Sequence, residues 1–113
     1  MNTSVLRFQA FDLLATPVAV LQGQGHVRFV NAALEDALGM SRRTLYDTYL
    51  PDCFLDPQPL AAALVGAQSN EFAALRYEAQ LRRLHHEDPL PVHVIVAPSD
   101  QADEVIVELL PVE

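Results

Sequence analysis

The side chains of this chain that could do chemistry by themselves are one cysteine and four histidines. A metal site needs several ligands that converge on one point. His85 and His86 are adjacent in a predicted loop, where neighbouring side chains of an extended segment point in opposite directions. His26 and His93 stand apart from this pair, and no cysteine lies near it in sequence. The pattern predicts solvated histidines and no metal site.

Cys53 is the candidate nucleophile. A reactive thiol needs a positioned base or a positive charge to favour the thiolate, and the sequence shows neither beside Cys53. Free cysteine is commonly buried, so we expect this side chain in the core or at its rim. A single cysteine excludes an internal disulfide and fits a reducing compartment. The chain is therefore predicted not to be an enzyme.

Gly23-Gln24-Gly25 is the stretch that invites comparison with a phosphate-binding loop. Neither G-x-G-x-x-G nor G-x-x-x-x-G-K-[ST] is present, so the glycines do not predict a nucleotide site. They join two short apolar runs, Val18–Leu21 and Val27–Val30. This arrangement predicts a β-hairpin with a glycine turn at Gly23 and Gly25.

The residue after the hairpin is Asn31, a favoured helix N-cap because its side-chain oxygen accepts a hydrogen bond from a free backbone N–H. Apolar positions follow at helical spacing, and Gly39 can take the left-handed conformation that ends a helix. The sequence therefore predicts strand, turn, strand and a capped helix in this order, with Asn31 and Gly39 as the two caps.

The rest of the chain is predicted to complete an α+β fold. Ser41 caps a second short helix, and apolar positions at i, i+3, i+4 and i+7 predict a longer helix over Pro57–Gln68. From there the hydrophobic period changes to two, which predicts strands near 75–82, 92–96 and 105–110. The last of these is apolar at nearly every position and is expected to be central. The prediction is a five-stranded antiparallel sheet with helices packed on one face.

Size and charge restrict the possible partners. A chain of 113 residues is one domain. The formal charge is −8, with 15 acidic and 7 basic residues, and there is no lysine, so nucleic-acid binding is disfavoured. No apolar run reaches the length of a membrane span, and the first four residues lack the basic region of a signal peptide. A cytoplasmic location without membrane attachment is expected.

The N-terminal region predicts a helix over Val5–Leu14, so that residues 1–15 form an N-terminal helix and residues 16–113 the main domain. One apolar stripe suffices for the core. A second stripe of Val5, Phe8 and Phe11 predicts an association surface, and a two-fold homodimer is the simplest use of it. The alternative is that both phenylalanines fold back onto the sheet. The sequence leaves the two open.

The order of elements resembles the opening of a PAS domain: an apolar strand, a glycine turn, a strand ending in Val30-Asn31 and a short helix closed by Gly39. Three segments are similar to the N-terminal sensor domain of nitrogen regulation histidine kinases of the NtrB type: FDLLATPVAVL (11–21), FVNAALEDALGMSRR (29–43) and VIVELLPVE (105–113). The resemblance implies a non-catalytic regulatory domain of a two-component system that mediates dimerisation and signal relay. It also implies a kinase portion, a PII signal protein and an NtrC-type response regulator that controls transcription.

Family signatures for phosphorylation and chromophores do not match. His86-Glu87-Asp88-Pro89-Leu90 is two residues shorter than the H-E-x-x-N-P-L type box of sensor kinases, lacks its asparagine, and falls between strands. Cys53 lacks the flanking Asn and Arg of the photoreactive flavin motif N-C-R-F-L, and Pro57–Gln68 has no histidine for haem. We therefore expect no cofactor and a colourless protein.

Two other functions remain open from the sequence. A PAS core could enclose a small metabolite, with Tyr77, Cys53 and the histidines as the candidate polar contacts. An isomerase or hydrolase on an α+β sheet is the third hypothesis, and a buried carboxylate facing a cavity would be its signature.

Overall fold

The computed structural model describes residues 8–46, 48–83 and 86–112. These residues form a five-stranded antiparallel sheet with three α-helices inserted between the second and third strands, which confirms the predicted α+β class. The strands are β1 (Val18–Gln22), β2 (His26–Val30), β3 (Leu75–Leu81), β4 (Leu90–Pro98) and β5 (Glu104–Pro111). The helices are α1 (Ala32–Leu38), α2 (Arg42–Leu45) and α3 (Gln58–Gln68), with short 3-10 helices at Gln9–Leu13 and Leu50–Cys53.

The strand order is β2-β1-β5-β4-β3. The chain's last strand therefore lies in the centre, as its apolar sequence predicted, and pairs with β1 on one side and β4 on the other. Strands β2 and β3 form the two edges. Because antiparallel neighbours align their pleats, alternate residues of all five strands fall on one face or the other.

The two faces of the sheet carry separate apolar clusters. The helices cover the inner face, where the main core includes Leu34, Leu64 and Val107, each almost completely buried. On the outer face a smaller cluster contains Phe8, Val20 and Phe29. Through Phe8, the outer cluster attaches the first described residues of the chain to the sheet.

The hairpin depends on glycine at one position above all. Gly25 has φ +133°, a conformation that side-chain-bearing residues rarely adopt, and an added Cβ would lie 2.9 Å from Tyr49 and 3.1 Å from Leu64. Beyond the turn, the β1–β2 register shifts between Val20 and Leu21, so β2 carries one extra residue, a β-bulge at Arg28.

Helix α3 packs its buried side, which includes Leu60, Ala63 and Leu64, over β4 and β5. It begins at Gln58, with Pro57 at the N-cap and not at the first helical position that the sequence suggested. The free N–H of Gln58 donates to Asp56 Oδ1 at 3.0 Å. Within the described ranges, none of the helices has the length and apolar character needed to span a membrane.

Where the structure describes the segment predicted as a helix over Val5–Leu14, the segment is helical, but as a short 3-10 helix that ends at Leu13. A 3-10 helix covers Gln9–Leu13, and Leu14 N donates to Phe11 O at 3.1 Å. The physical reason is tertiary, because Phe11 O also accepts a hydrogen bond from Asn31 Nδ2, which holds the segment close to the core. The first residues of the predicted helix, including Val5, lie outside the described residues.

Candidate functional site at the N-terminal junction

The feature that joins the most elements is Asn31, which is completely buried. The sequence predicted it as a helix cap, and its Oδ1 accepts from Leu34 N at 3.1 Å. The same oxygen also accepts from Val18 N at 2.9 Å, at the start of β1. Its Nδ2 donates to Phe11 O at 2.9 Å and to Thr16 O at 2.8 Å. One amide therefore connects α1, β1 and the N-terminal segment, and both of its N–H groups are used.

An ion-pair group lies beside Asn31 and bonds to the same segment. The Arg42 guanidinium donates to both carboxylate oxygens of Asp12, at 2.9 and 3.1 Å. Its Nε donates to Glu35 Oε1 at 2.9 Å, and its backbone N–H donates to Glu35 Oε2 at 3.1 Å. Asp12 Oδ1 also accepts from Ala32 N at 3.0 Å, in the first turn of α1. A two-pronged Arg–carboxylate contact of this kind fixes orientation as well as distance.

The charge on Arg42 is stabilised by this geometry. The hydrogen bonds to Asp12 raise its pKa further above the usual arginine value, in opposition to partial burial, and Glu35 adds to the rise. The guanidinium carbon lies 5.4 Å from the centroid of the Phe29 ring, a cation–π distance. Arg42 thus connects the polar group to the aromatic cluster of the outer sheet face.

Three phenylalanines complete the junction. Phe8 lies with its ring centroid 5.2 Å from that of Phe29 and 6.1 Å from that of Phe11. Phe8 is only 4% exposed, and Phe11 and Ile106 are half-buried beside it. The segment 8–16 together with Phe29, Asn31, Glu35 and Arg42 forms the N-terminal junction.

This packing corrects the placement of the predicted dimer interface. Phe8 and Phe11 do not form an outward stripe but fold back onto the sheet, the alternative that the sequence left open. The reason is that Val20, Phe29 and Ile106 make an apolar patch on the outer face that these rings cover. Val5, the third residue of the predicted interface, lies outside the described residues, and dimerisation itself stays a prediction.

The other structural residues named from the sequence occupy turn and cap positions. Gly39 follows α1 with φ +70°, and its N–H donates to Glu35 O at 2.8 Å. Gly23 lies in the hairpin turn with φ +64°, and its N–H donates to Asp103 O at 3.1 Å. Gly23, Gly25 and Asn31 therefore lie between β1 and the start of α1, and Gly39 ends α1.

The candidate reactive side chains are dispersed. Cys53 is buried, and that burial, together with the nearby Asp52 charge, raises the pKa of its thiol to about 11. His26, His86 and His93 are exposed, and His85 lies outside the described residues. The described part of the chain contains no group of three or more His, Cys, Asp or Glu side chains placed to hold a metal ion.

Tyr77 was one of the candidate polar contacts in the sequence, and in the described core its polar group has no hydrogen-bond partner. Its hydroxyl oxygen is buried without a hydrogen bond among the described residues, and burial raises its pKa. A buried polar atom without a partner costs free energy unless something else satisfies it.

Sequence reasoning missed Asp12, Glu35 as an ion-pair partner, and Arg42. Asp12 and Arg42 are 30 residues apart, and nothing local in either stretch marks them as partners. A signal that could have drawn attention to Asp12 is its position as a lone carboxylate in the otherwise apolar run 10–15.

Comparison with known proteins gives a fold. No family model and no curated protein sequence matches the chain. Solved structures do match. A domain of a sensory box sensor histidine kinase/response regulator from Geobacter sulfurreducens superimposes with a TM-score of 0.77 at 18% identity, covering 96% of this chain and 93% of that one.

Two further structures extend this result. The PAS domain of an HTR-like protein from Haloarcula marismortui has a TM-score of 0.77 at 17% identity, covering 97% of each chain. The PAS domain of nitrogen regulation protein NR(II) from Vibrio parahaemolyticus has a TM-score of 0.69 at 17% identity, covering 95% of this chain and 98% of that one.

Proposed function

From the PAS fold that this chain shares with these structures, we propose that it is the sensory domain of a two-component sensor histidine kinase and performs no catalytic step itself. Its role is to transmit a conformational change between the core and the N-terminal segment, in either direction. The observation that carries this proposal is the buried Asn31, because one side chain holds α1, β1 and the entering segment together. A shift of any one of them strains bonds to the other two.

We propose more specifically that the kinase belongs to nitrogen regulation. Support comes from the amino-acid sequences of Phe11–Leu21, Phe29–Arg43 and Val105–Glu113, which resemble those of this family, and from the similarity in fold to the NR(II) domain. In that setting the domain works in a cytoplasmic homodimer. The kinase portion, modulated by a PII signal protein, would control an NtrC-type response regulator and so transcription.

The relay is tested in a chimeric kinase in which this chain replaces the PAS domain of the Vibrio parahaemolyticus protein. The readout is the rate of autophosphorylation with and without PII protein. Arg42→Gln removes the contact to Asp12 and should change this rate at least severalfold. Arg43→Gln is the matched control, because Arg43 is the exposed neighbour and takes no part in the hydrogen bonds that join Arg42 to Asp12 and Glu35. Equal rates for both variants and wild type would contradict the proposal.

The kinase assignment has a separate test in the gene itself. A helix after Glu113, followed within about one domain length by an H-E-x-x-N-P box, supports it. A sequence without such a box favours another context for the same domain.

One observation favours a second function, that of a small-molecule receptor. The Tyr77 hydroxyl is buried without a partner in the described chain, so a ligand with a hydrogen-bonding group could satisfy it. Native mass spectrometry of gently purified protein tests this. A stoichiometric extra mass that is lost in Tyr77→Phe supports the receptor, and the bare chain mass in wild type contradicts it.

A further inference from the structure

Strand β3 lies at one edge of the sheet and pairs with β4 on one side alone. At its end Leu55 N donates to Gln80 O at 3.0 Å, and Arg82 N donates to Cys53 O at 2.7 Å, both on the side away from β4. Backbone groups in an antiparallel ladder alternate sides residue by residue. The N–H and C=O groups of Arg76 and Glu78 therefore point to the same open side, where no other described segment bonds to them.

The side chains along this open stretch are also incompletely covered. Leu75 is 37% exposed, and Tyr77 and Ala79 are half-buried on the inner face, whereas Leu81 is completely buried. On the outer face Arg76 and Glu78 are exposed. An edge with unpaired backbone groups and exposed apolar side chains is a template for another strand.

We propose that the partner of this edge is a second copy of the same chain, paired antiparallel through β3 about a two-fold axis. In a chain of net charge −8, the segment Leu75–Leu81 is neutral, because it contains one arginine and one glutamate. Two copies can therefore approach here without the repulsion that most of their surface would produce.

The charge pattern selects one register. A hydrogen-bonded pair joins two residues whose backbone groups both point outward. Arg76 of one copy can therefore lie opposite Arg76 or Glu78 of the other, and Glu78 can lie opposite Arg76 or Glu78. One register places Arg76 opposite Arg76, and another places Glu78 opposite Glu78, both unfavourable because like charges meet. The register between them places Arg76 of each copy opposite Glu78 of the other. It forms two hydrogen-bonded pairs with opposite charges.

The same register explains how far the pairing extends. The two Tyr77 residues face each other at the axis, and Leu75 of each copy lies opposite Ala79 of the other, which covers the exposed apolar positions. Beyond Ala79 the edge is already occupied, because Phe54 of the same chain forms a β-bridge with Leu81. The interface is thus one short pair of strands, which suits a weak and reversible dimer. This inference does not depend on the kinase assignment.

The test is a charge-swap cycle on the full chain, followed by sedimentation equilibrium over micromolar to millimolar concentrations. Arg76→Glu and Glu78→Arg each place like charges opposite one another and should raise the dimer dissociation constant at least about tenfold. The double variant Arg76→Glu/Glu78→Arg restores opposite charges and should recover wild-type association. Arg43→Glu, the same change of charge at an exposed position of α2, should have no effect.

A second variant separates association from folding. Among the backbone groups of β3, Glu78→Pro removes only an outward N–H, which proline at a sheet edge tolerates. It also removes the exposed Glu78 carboxylate, which lies 3.7 Å from His93 Nδ1. The variant should therefore stay folded by circular dichroism and be monomeric. A wild type that is monomeric up to millimolar concentration overturns the proposal. So does a dimer that the single charge variants leave intact, because it would use another surface.

The register itself can be read by cross-linking. Opposed residues at the axis are a non-hydrogen-bonded pair with Cα atoms about 4.5 Å apart, within disulfide range. Tyr77→Cys should therefore form an intermolecular disulfide under mild oxidation, and Leu75→Cys, which lies opposite Ala79, should not. The native Cys53 is buried and gives no background. Equal cross-linking of the two variants refutes this register.

Discussion

Replacing Asn31 with alanine tests the N-terminal junction most directly. A helix cap alone contributes about 0.5–2 kcal/mol to the free energy of unfolding. Asn31 does more than cap, because it also bonds Val18 N, Phe11 O and Thr16 O. We therefore expect Asn31→Ala to cost more than any ordinary cap in this chain.

The magnitude follows from what each partner retains. Leu34 N still reaches the backbone oxygen of residue 31 at 3.1 Å, and Phe11 O still accepts from Leu14 N. Val18 N is buried and loses its partner, at a cost of about 1–3 kcal/mol. The two lost Nδ2 bonds add about 0.5–1.5 kcal/mol each. Together with the cap, these ranges give an expected loss of about 2.5–8 kcal/mol. That is a large part of the about 5–15 kcal/mol of stability that a domain of this kind has.

The assay is urea unfolding at 25 °C with Ser41→Ala as the comparison. Ser41 caps α2 through Thr44 N at 3.3 Å on the surface, so its loss should cost about 1 kcal/mol or less. Asn31→Asp separates the two roles of Asn31. Aspartate keeps the capping oxygen but places a carboxylate oxygen against Phe11 O and Thr16 O, where two acceptors repel. It should therefore destabilise strongly although it is a good cap.

Two outcomes would refute this reasoning. If Asn31→Ala costs no more than Ser41→Ala, the bonds to β1 and the N-terminal segment add nothing to stability. If Asn31→Asp is as stable as wild type, the Nδ2 bonds do not hold the segment.

Three other predictions concern the junction, the thiol and the hairpin. Arg42→Gln should lower the free energy of unfolding by about 1 kcal/mol at low salt and by less at high salt. The control Arg43→Gln should change it by less than about 0.5 kcal/mol. Urea unfolding at two salt concentrations measures both variants. The folded state disfavours the Cys53 thiolate, because burial raises the pKa of the thiol to about 11. The free energy of unfolding should therefore fall as pH rises from about 9 to 11, by at most about 1.4 kcal/mol per pH unit. Unfolding curves taken at several pH values should show a smaller slope for Cys53→Ala. Gly25→Ala should lower the melting temperature more than Gly23→Ala, because a Cβ at Gly25 meets Tyr49 and Leu64 within 3.1 Å while one at Gly23 has only a 4.0 Å contact.

The sequence by itself determined the elements whose signals are local. The glycine turn, the Asn31 cap and the alternation of β4 depend on residues within a few positions of one another, so spacing was enough to predict them. The central place of β5 also followed, because a strand that is apolar on both sides must be covered on both faces.

Tertiary structure decided where the N-terminal segment lies and what Asn31 holds. The helical pattern of Val5–Leu14 predicted a helix with an outward apolar stripe. The described residues form a short 3-10 helix whose phenylalanines pack inward against Val20 and Phe29, and Asn31 bonds to Phe11 O. The pairing of Asp12 with Arg42 joins residues far apart in the chain. Such contacts form only when folding brings distant segments together, and local propensity carries no information about which distant partner will arrive.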